Sequence, residues 1–238
     1  MNLKHTFCLL SVFWSPLVVD AKPNKAGTPV LIRAVLHDPA NPGAELFYPE
    51  KKGVVAKLQF RQQDLTLPLS IMPVDGSLVF YDKADIDPKN PAASVAASFK
   101  LPPNIKRAIA LVSPAPAGTK PAYRIELIDD SAQAFPKGES RVISLLPMET
   151  TLDVGEHQLK ISPGLIMRVP AVTKVNEYNM AQTTFGYKNG DSLVTFSERQ
   201  LQYLDGLRRI FILDQAPGAN QPTITTIVDS TTVVAPKR

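Results

Sequence analysis

Cysteine, tryptophan and histidine are almost missing from this chain: one Cys, one Trp and three His in 238 residues. Cys8 and Trp14 both fall within the first 21 positions, so everything beyond them lacks a thiol. That excludes disulfide staples and cysteine nucleophiles from the body of the protein, which must be held by apolar burial. With only His37 and His157 beyond residue 21, no H-E-x-x-H or other paired-histidine spacing exists, so a zinc site would need scattered carboxylates. No G-x-S-x-G elbow, no G-x-x-x-x-G-K-[ST] loop and no G-x-G-x-x-G turn occurs, which leaves acyl transfer and nucleotide handling without sequence support.

A strong charge bias is also lacking. The formal net charge is +4, and the basic residues stand in isolated pairs at 51–52, 106–107 and 208–209. No basic stripe interleaved with aromatics is present, so nucleic acid is not an expected partner. A mild excess of positive charge is compatible with loose attraction to anionic envelope polymers.

The only long apolar stretch is at the amino terminus. "MNLKHTFCLLSVFWSPLVVDA" carries Lys4 and His5, then an apolar run from Phe7 to Val19, then small residues Val19 and Ala21 at the positions that precede a cut. The expectation is a signal peptide over 1–21, cleaved after Ala21. The run is too short for a bilayer span of about 20 residues and is broken by Pro16, so no transmembrane segment is expected after cleavage. An exported chain without cysteine is expected in a bacterial periplasm, cell envelope or extracellular space.

What is abundant is proline, 22 residues scattered between short apolar runs. Those runs alternate at period two or are briefly solid, the patterns of strands. They include "TPVLIRAV", "SLVFYD", "RAIALVS", "AYRIELI", "SRVISLL", "TTLDV", "HQLKIS", "SLVTF" and "RRIFIL". Turn formers separate them: Asp75-Gly76, Asn189-Gly190 and Asp205-Gly206 accept positive φ and are expected to close hairpins, with further turns at Val154-Gly155 and Pro163-Gly164. "SERQLQYLDGLRR" has a helix-like start at Ser197, but Asp205-Gly206 ends it within two turns, and a strand is the preferred reading.

One pattern occurs twice. A basic pair, an apolar strand, a Pro/Gly/Ala-rich loop, a second strand and Asp-Ser run from 105 to 131 and again from 207 to 230, with Asp130 and Asp229 lying 99 positions apart. Convergent hairpins could produce this; duplication of a domain explains the interval as well. The expectation is an all-β protein of two immunoglobulin-like antiparallel β-sandwich domains in tandem: 27–131 and 132–232, then a flexible tail over 233–238. Phe135, in the connection "DDSAQAFPKGES", is expected to wedge between them, the connection itself being exposed.

From Asp129 and Asp130, through Pro136, Gly138, Arg141, Val142, Leu145 and Pro147, to Pro163 and Gly164, the text resembles tandem β-sandwich domains of unknown function in exported bacterial proteins. The resemblance covers about 40 residues and implies a secreted sandwich, with no activity or site attached.

Candidate sites are few. Asp82, Asp85 and Asp87 in "YDKADIDPKN" offer hard oxygens to calcium, though Lys83 and Lys89 oppose a cation, making a solvated loop the default. His37 has Asp38 beside it and is expected at a strand end facing solvent. His157 and Glu156 are expected on opposite faces of a strand. Asp129 and Asp130 also alternate to opposite faces, and the recurrence as Asp229 suggests a turn cap. The tyrosines and phenylalanines are accounted for by packing, unless tyrosines gather on an exposed face. The resulting expectation is a non-enzymatic binding or structural module of the cell envelope with no cofactor, meeting an envelope protein or a glycan. Its alternative is a carbohydrate-binding or polysaccharide-active protein. No oligomeric state follows from the sequence.

Overall fold

Some apolar runs in the sequence are solid and others alternate, and the architecture explains the difference. The computed structural model describes residues 28–230 except 52, 62, 191 and 217; the expected signal segment 1–21 and tail 233–238 lie outside the described residues. The first half forms β1 (Val30–Leu36), β2 (Leu46–Lys51), β3 (Val54–Leu58), β4 (Leu69–Ile71), β5 (Ser77–Tyr81), β6 (Val95–Lys100), β7 (Arg107–Pro114) and β8 (Tyr123–Asp129). The second forms β9 (Ser140–Ser144), β10 (Thr150–Val154), β11 (His157–Ile161), β12 (Ile166–Val169), β13 (Met180–Asn189), β14 (Ser192–Gln202), β15 (Arg208–Asp214) and β16 (Thr223–Asp229). The stretch 197–209, read as strand in preference to helix, runs from the end of β14 through a turn at Asp205-Gly206 into β15.

The strands make four sheets, ordered β3-β2-β5-β6, β4-β1-β7-β8, β12-β9-β15-β16 and β11-β10-β13-β14. Adding eight to each strand number of the first two sheets reproduces the other two, so the second sandwich repeats the first strand for strand. The hairpins that read as copies, β7–β8 and β15–β16, occupy equivalent places. One core, with Ile32, Phe80 and Val112, joins the first two sheets. A second, with Val142, Leu152, Phe185 and Phe211, joins the last two. A third cluster draws Val35, Ile109, Leu111 and Ile128 from one sandwich and Ile143, Ile210, Ile212 and Ile227 from the other. The protein is therefore a stack of four sheets, with the β1- and β9-containing sheets covered on both faces.

A sheet buried on both faces favours apolar residues at consecutive positions, whereas a half-exposed outer sheet favours alternation. Hence "RRIFILD" and "SRVIS" are buried almost throughout, while β10 and β11 alternate; β5, an outer strand buried at Leu78, Val79, Phe80 and Tyr81, is an exception.

Two expectations are corrected. The sheets are not purely antiparallel: β1 runs parallel to β7, and β9 parallel to β15, because the inner sheet of each sandwich brings its first and seventh strands side by side. Asp205-Gly206 does not close a hairpin either; it carries the chain from β14 in an outer sheet to β15 in an inner one. The other turns behave as their chemistry dictates. Asp75 and Gly76 both take positive φ, 48° and 71°, between residues 74 and 77, which exchange backbone hydrogen bonds. Gly155 has φ +55°, and a Cβ there would lie 2.5 Å from Val172 Cγ1, so the β10–β11 turn admits no side chain at that position.

Candidate functional site: the junction of the two sandwiches

Because the sandwiches are repeats, strand register maps residues of one onto the other. Val35 pairs with Leu111 and Ile143 with Ile212; Ile109 pairs with Ile128 and Ile210 with Ile227. Those eight are members of the third cluster, so the contact layer is built from the same positions of both units. It is a self-complementary interface of the kind a twofold dimer has, here within one chain.

At one end of this layer lies a buried ion-pair network. Arg33 on β1 donates from Nε and Nη2 to Asp130 at 3.1 and 2.8 Å. It also donates from Nη1 and Nη2 to Asp229 of the other sandwich, both at 2.8 Å. Arg208 on β15 returns the exchange: it holds Asp229 through Nε at 3.0 Å and reaches across to Asp130 through Nη2 at 2.7 Å. Arg107 adds a bond to Asp130 at 3.2 Å. Each aspartate is thus held by arginines from both sandwiches. Burial pushes the Asp229 carboxyl up, but the hydrogen bonds and charges of Arg33 and Arg208 outweigh it and hold the group well below the usual carboxylate range. Burial works against the charge on Arg33 too, and the two aspartates overcome it, raising its pKa.

Phe135 completes this end. It is fully buried in the shared cluster, as the wedge reading requires, with the guanidinium of Arg141 at 4.5 Å and that of Arg208 at 4.4 Å from its ring centroid. Its carbonyl accepts Arg208 Nη1 at 2.9 Å, and Arg141 donates to the Ala134 carbonyl. The connection between sandwiches is thus packed into the interface at Asp130, Phe135 and Glu139, while Ala132, Gln133 and Lys137 are exposed as composition suggested. Arg141, the register equivalent of Arg33, is turned to Glu139, which also receives Arg168 Nε at 2.9 Å.

At the other end the layer opens. A cleft of about 600 Å³ is lined by Val35, Leu36, His37, Phe60 and Arg61 of the first sandwich and by Ile212 and Thr225 of the second. Beside it His37 Nε2 lies 2.9 Å from Asp214 Oδ2, joining the two sandwiches. That hydrogen bond lowers the Asp214 pKa against the opposing effect of burial. Asp38, also buried, accepts the Tyr123 hydroxyl at 3.0 Å and the Asn41 amide at 3.0 Å.

Several sequence expectations change here. His37 is buried and not solvent-facing, and its partner is Asp214, 177 positions away, not adjacent Asp38. Asp129 does make the turn contact, accepting Ser131 N–H at 2.8 Å. Asp130 and Asp229 instead anchor the network, so their recurrence reflects the interface and not a cap. Glu156 sits in the β10–β11 turn, not in a strand, and takes the amides of Thr173 and Lys174, both at 2.9 Å; these backbone bonds lower its pKa to about 2. His157 Nε2 is 3.5 Å from that carboxylate and 3.1 Å from the Ala171 carbonyl.

Asp82, Asp85 and Asp87 stay on the exposed loop after β5. Among the described residues no group of three or more His, Cys, Asp or Glu side chains comes together as a metal would require. Asp87 instead accepts the Lys89 amide at 2.8 Å, and Asp82 lines a concavity of about 690 Å³ on the first sandwich beside Lys120. Tyr48, Tyr81 and Tyr203 are buried, Tyr123 and Tyr187 half-buried, and Tyr178 is 65% exposed. No helix among the described residues is long and apolar enough to cross a membrane.

No protein-family model matches the chain, and no curated protein matches it.

Proposed function

We propose that the protein is an exported, non-enzymatic binding or structural module of the bacterial cell envelope, each sandwich being immunoglobulin-like in the broad sense of two packed four-stranded sheets. The observation that carries this reading is the doubly anchored junction: Arg33 and Arg208 each grip both Asp130 and Asp229, tying two sandwiches into one unit with a cleft across their seam. A unit fixed in this way offers a pre-formed recognition surface, and pre-formed surfaces bind without a large ordering cost. Export is supported by the signal-like first 21 residues and by the absence of cysteine after them.

The carbohydrate-binding alternative has in its favour the ring of Tyr178, exposed among the described residues. Fractionation of cells making the full chain tests the main reading. The expected result is a species shortened by 21 residues in the envelope or outside the cell, accompanied by envelope partners on cross-linking. Retention of the uncut chain in the cytosol, or hydrolysis of glycans or peptides at ordinary enzyme rates by the purified protein, would contradict it.

A further inference from the structure

Within the cleft, most polar groups are already engaged. His37 is taken by Asp214, and the two oxygens of Asp38 are taken by Asn41 and Tyr123. Among the described lining residues Arg61 differs. Its side chain is 58% exposed, and it meets Asp64, itself more than half exposed, only at 3.5 Å, the outer limit of a hydrogen bond. What a ligand would meet is therefore an apolar wall from the half-buried Leu36 and Phe60 and the exposed Pro39 and Pro42, with Val35 and Ile212 buried behind it, and one cationic fork at the rim.

We propose that this cleft binds a small amphiphilic carboxylic acid, an apolar body of several carbons bearing one carboxylate. The proposal rests on the reading of the protein as a binding module and names the ligand class for it. The volume of about 600 Å³ and the placement at a domain junction suit a small-molecule site. Burial of the apolar body against aliphatic side chains supplies the driving force, and a guanidinium receives a carboxylate through two parallel hydrogen bonds. A sugar acid fits less well, since its ring hydroxyls would need partners and the wall offers chiefly Gln63 and Thr225.

The test is calorimetric titration of the full chain with decanoate below its micelle concentration, with decanol, glucuronate and a leucine-terminated peptide as comparators. Two variants accompany it. Arg61→Gln removes the cation from an exposed site, and Gly43→Trp fills the cleft from a position where a new Cβ meets nothing within 4 Å. The expected outcome is one decanoate per chain, binding about tenfold weaker with decanol or in Arg61→Gln, which is the factor about 1.4 kcal/mol produces, and binding lost in Gly43→Trp with the melting temperature unchanged. The proposal is overturned by no decanoate binding, by equal affinity in either variant, or by tighter binding of glucuronate or the peptide. The two readings fail separately: an empty cleft leaves compartment and partners untouched, while a cytosolic uncut chain leaves decanoate affinity untouched.

Discussion

At the end of the seam where Arg33 meets Asp130 and Asp229, the charges are dry and held from both sandwiches; at the other end His37 meets Asp214 with a quarter of the aspartate side chain in solvent. Between them lies an apolar layer of matched positions. The difference teaches that the same self-complementary face has been specialised in two directions. One end fixes orientation through many short bonds, and the other leaves room for something to enter. The divergence follows from single positions. Arg141, the register equivalent of Arg33, lies over the Phe135 ring and pairs with Glu139 instead of an interface aspartate, and the cleft end places Thr225 opposite Ile212 where the first sandwich has Glu126 opposite Leu111.

This contrast can be broken most severely at the buried charges. Asp229→Ala leaves Arg33 and Arg208 without one of their two shared carboxylates, and removal of one partner of a buried pair costs about 3–5 kcal/mol; urea unfolding reads this as a lowered midpoint. Truncation in the matched layer comes next. Ile210→Ala, fully buried between the sandwiches, is expected to cost about 2–5 kcal/mol by the same measurement. At the open end His37→Gln removes a partly hydrated contact and is expected to cost about 1 kcal/mol.

Acid sharpens the comparison with a smaller effect. Asp229 and Asp214 both have folded pKa values below their ordinary ones, so each contributes stability that is present above the unfolded aspartate value of about 3.9 and disappears as pH falls through the folded one. Asp229, held by two arginines, should stay ionised to lower pH than Asp214. Carboxyl carbon shifts followed by NMR from pH 5 downward should therefore move first at the cleft; movement first at Asp229 would reverse the ranking of the two ends.

Much of the fold was legible because binary patterning records how many faces of a sheet are covered. The solid run "RRIFIL" belongs to an inner sheet and the alternating "TTLDV" to an outer one, while the solid "LVFY" of β5 lies in an outer sheet; the sequence reading treated all of them simply as strands. The repeat was legible too, and it contained more than was drawn from it. Each copy begins with a basic pair and ends in Asp-Ser; in an antiparallel hairpin those ends are neighbours, and the Arg107 carbonyl does accept the Asp130 amide at 3.2 Å. The charge complement across the hairpin was the available sign of an ion-pair site. Contacts such as Arg33 to Asp229 and His37 to Asp214 span 196 and 177 positions and carry no local signature, so the junction and its cleft became visible only with the sheets stacked.

The most direct test is a distance distribution between spin labels, one on each sandwich, at Gln59→Cys and Lys160→Cys with Cys8 replaced; both label sites are exposed. A single narrow distance at neutral pH, broadened by Asp229→Ala, is the predicted result. A broad distribution in the parent chain would mean that the sandwiches move independently, and the account of a locked seam would be wrong.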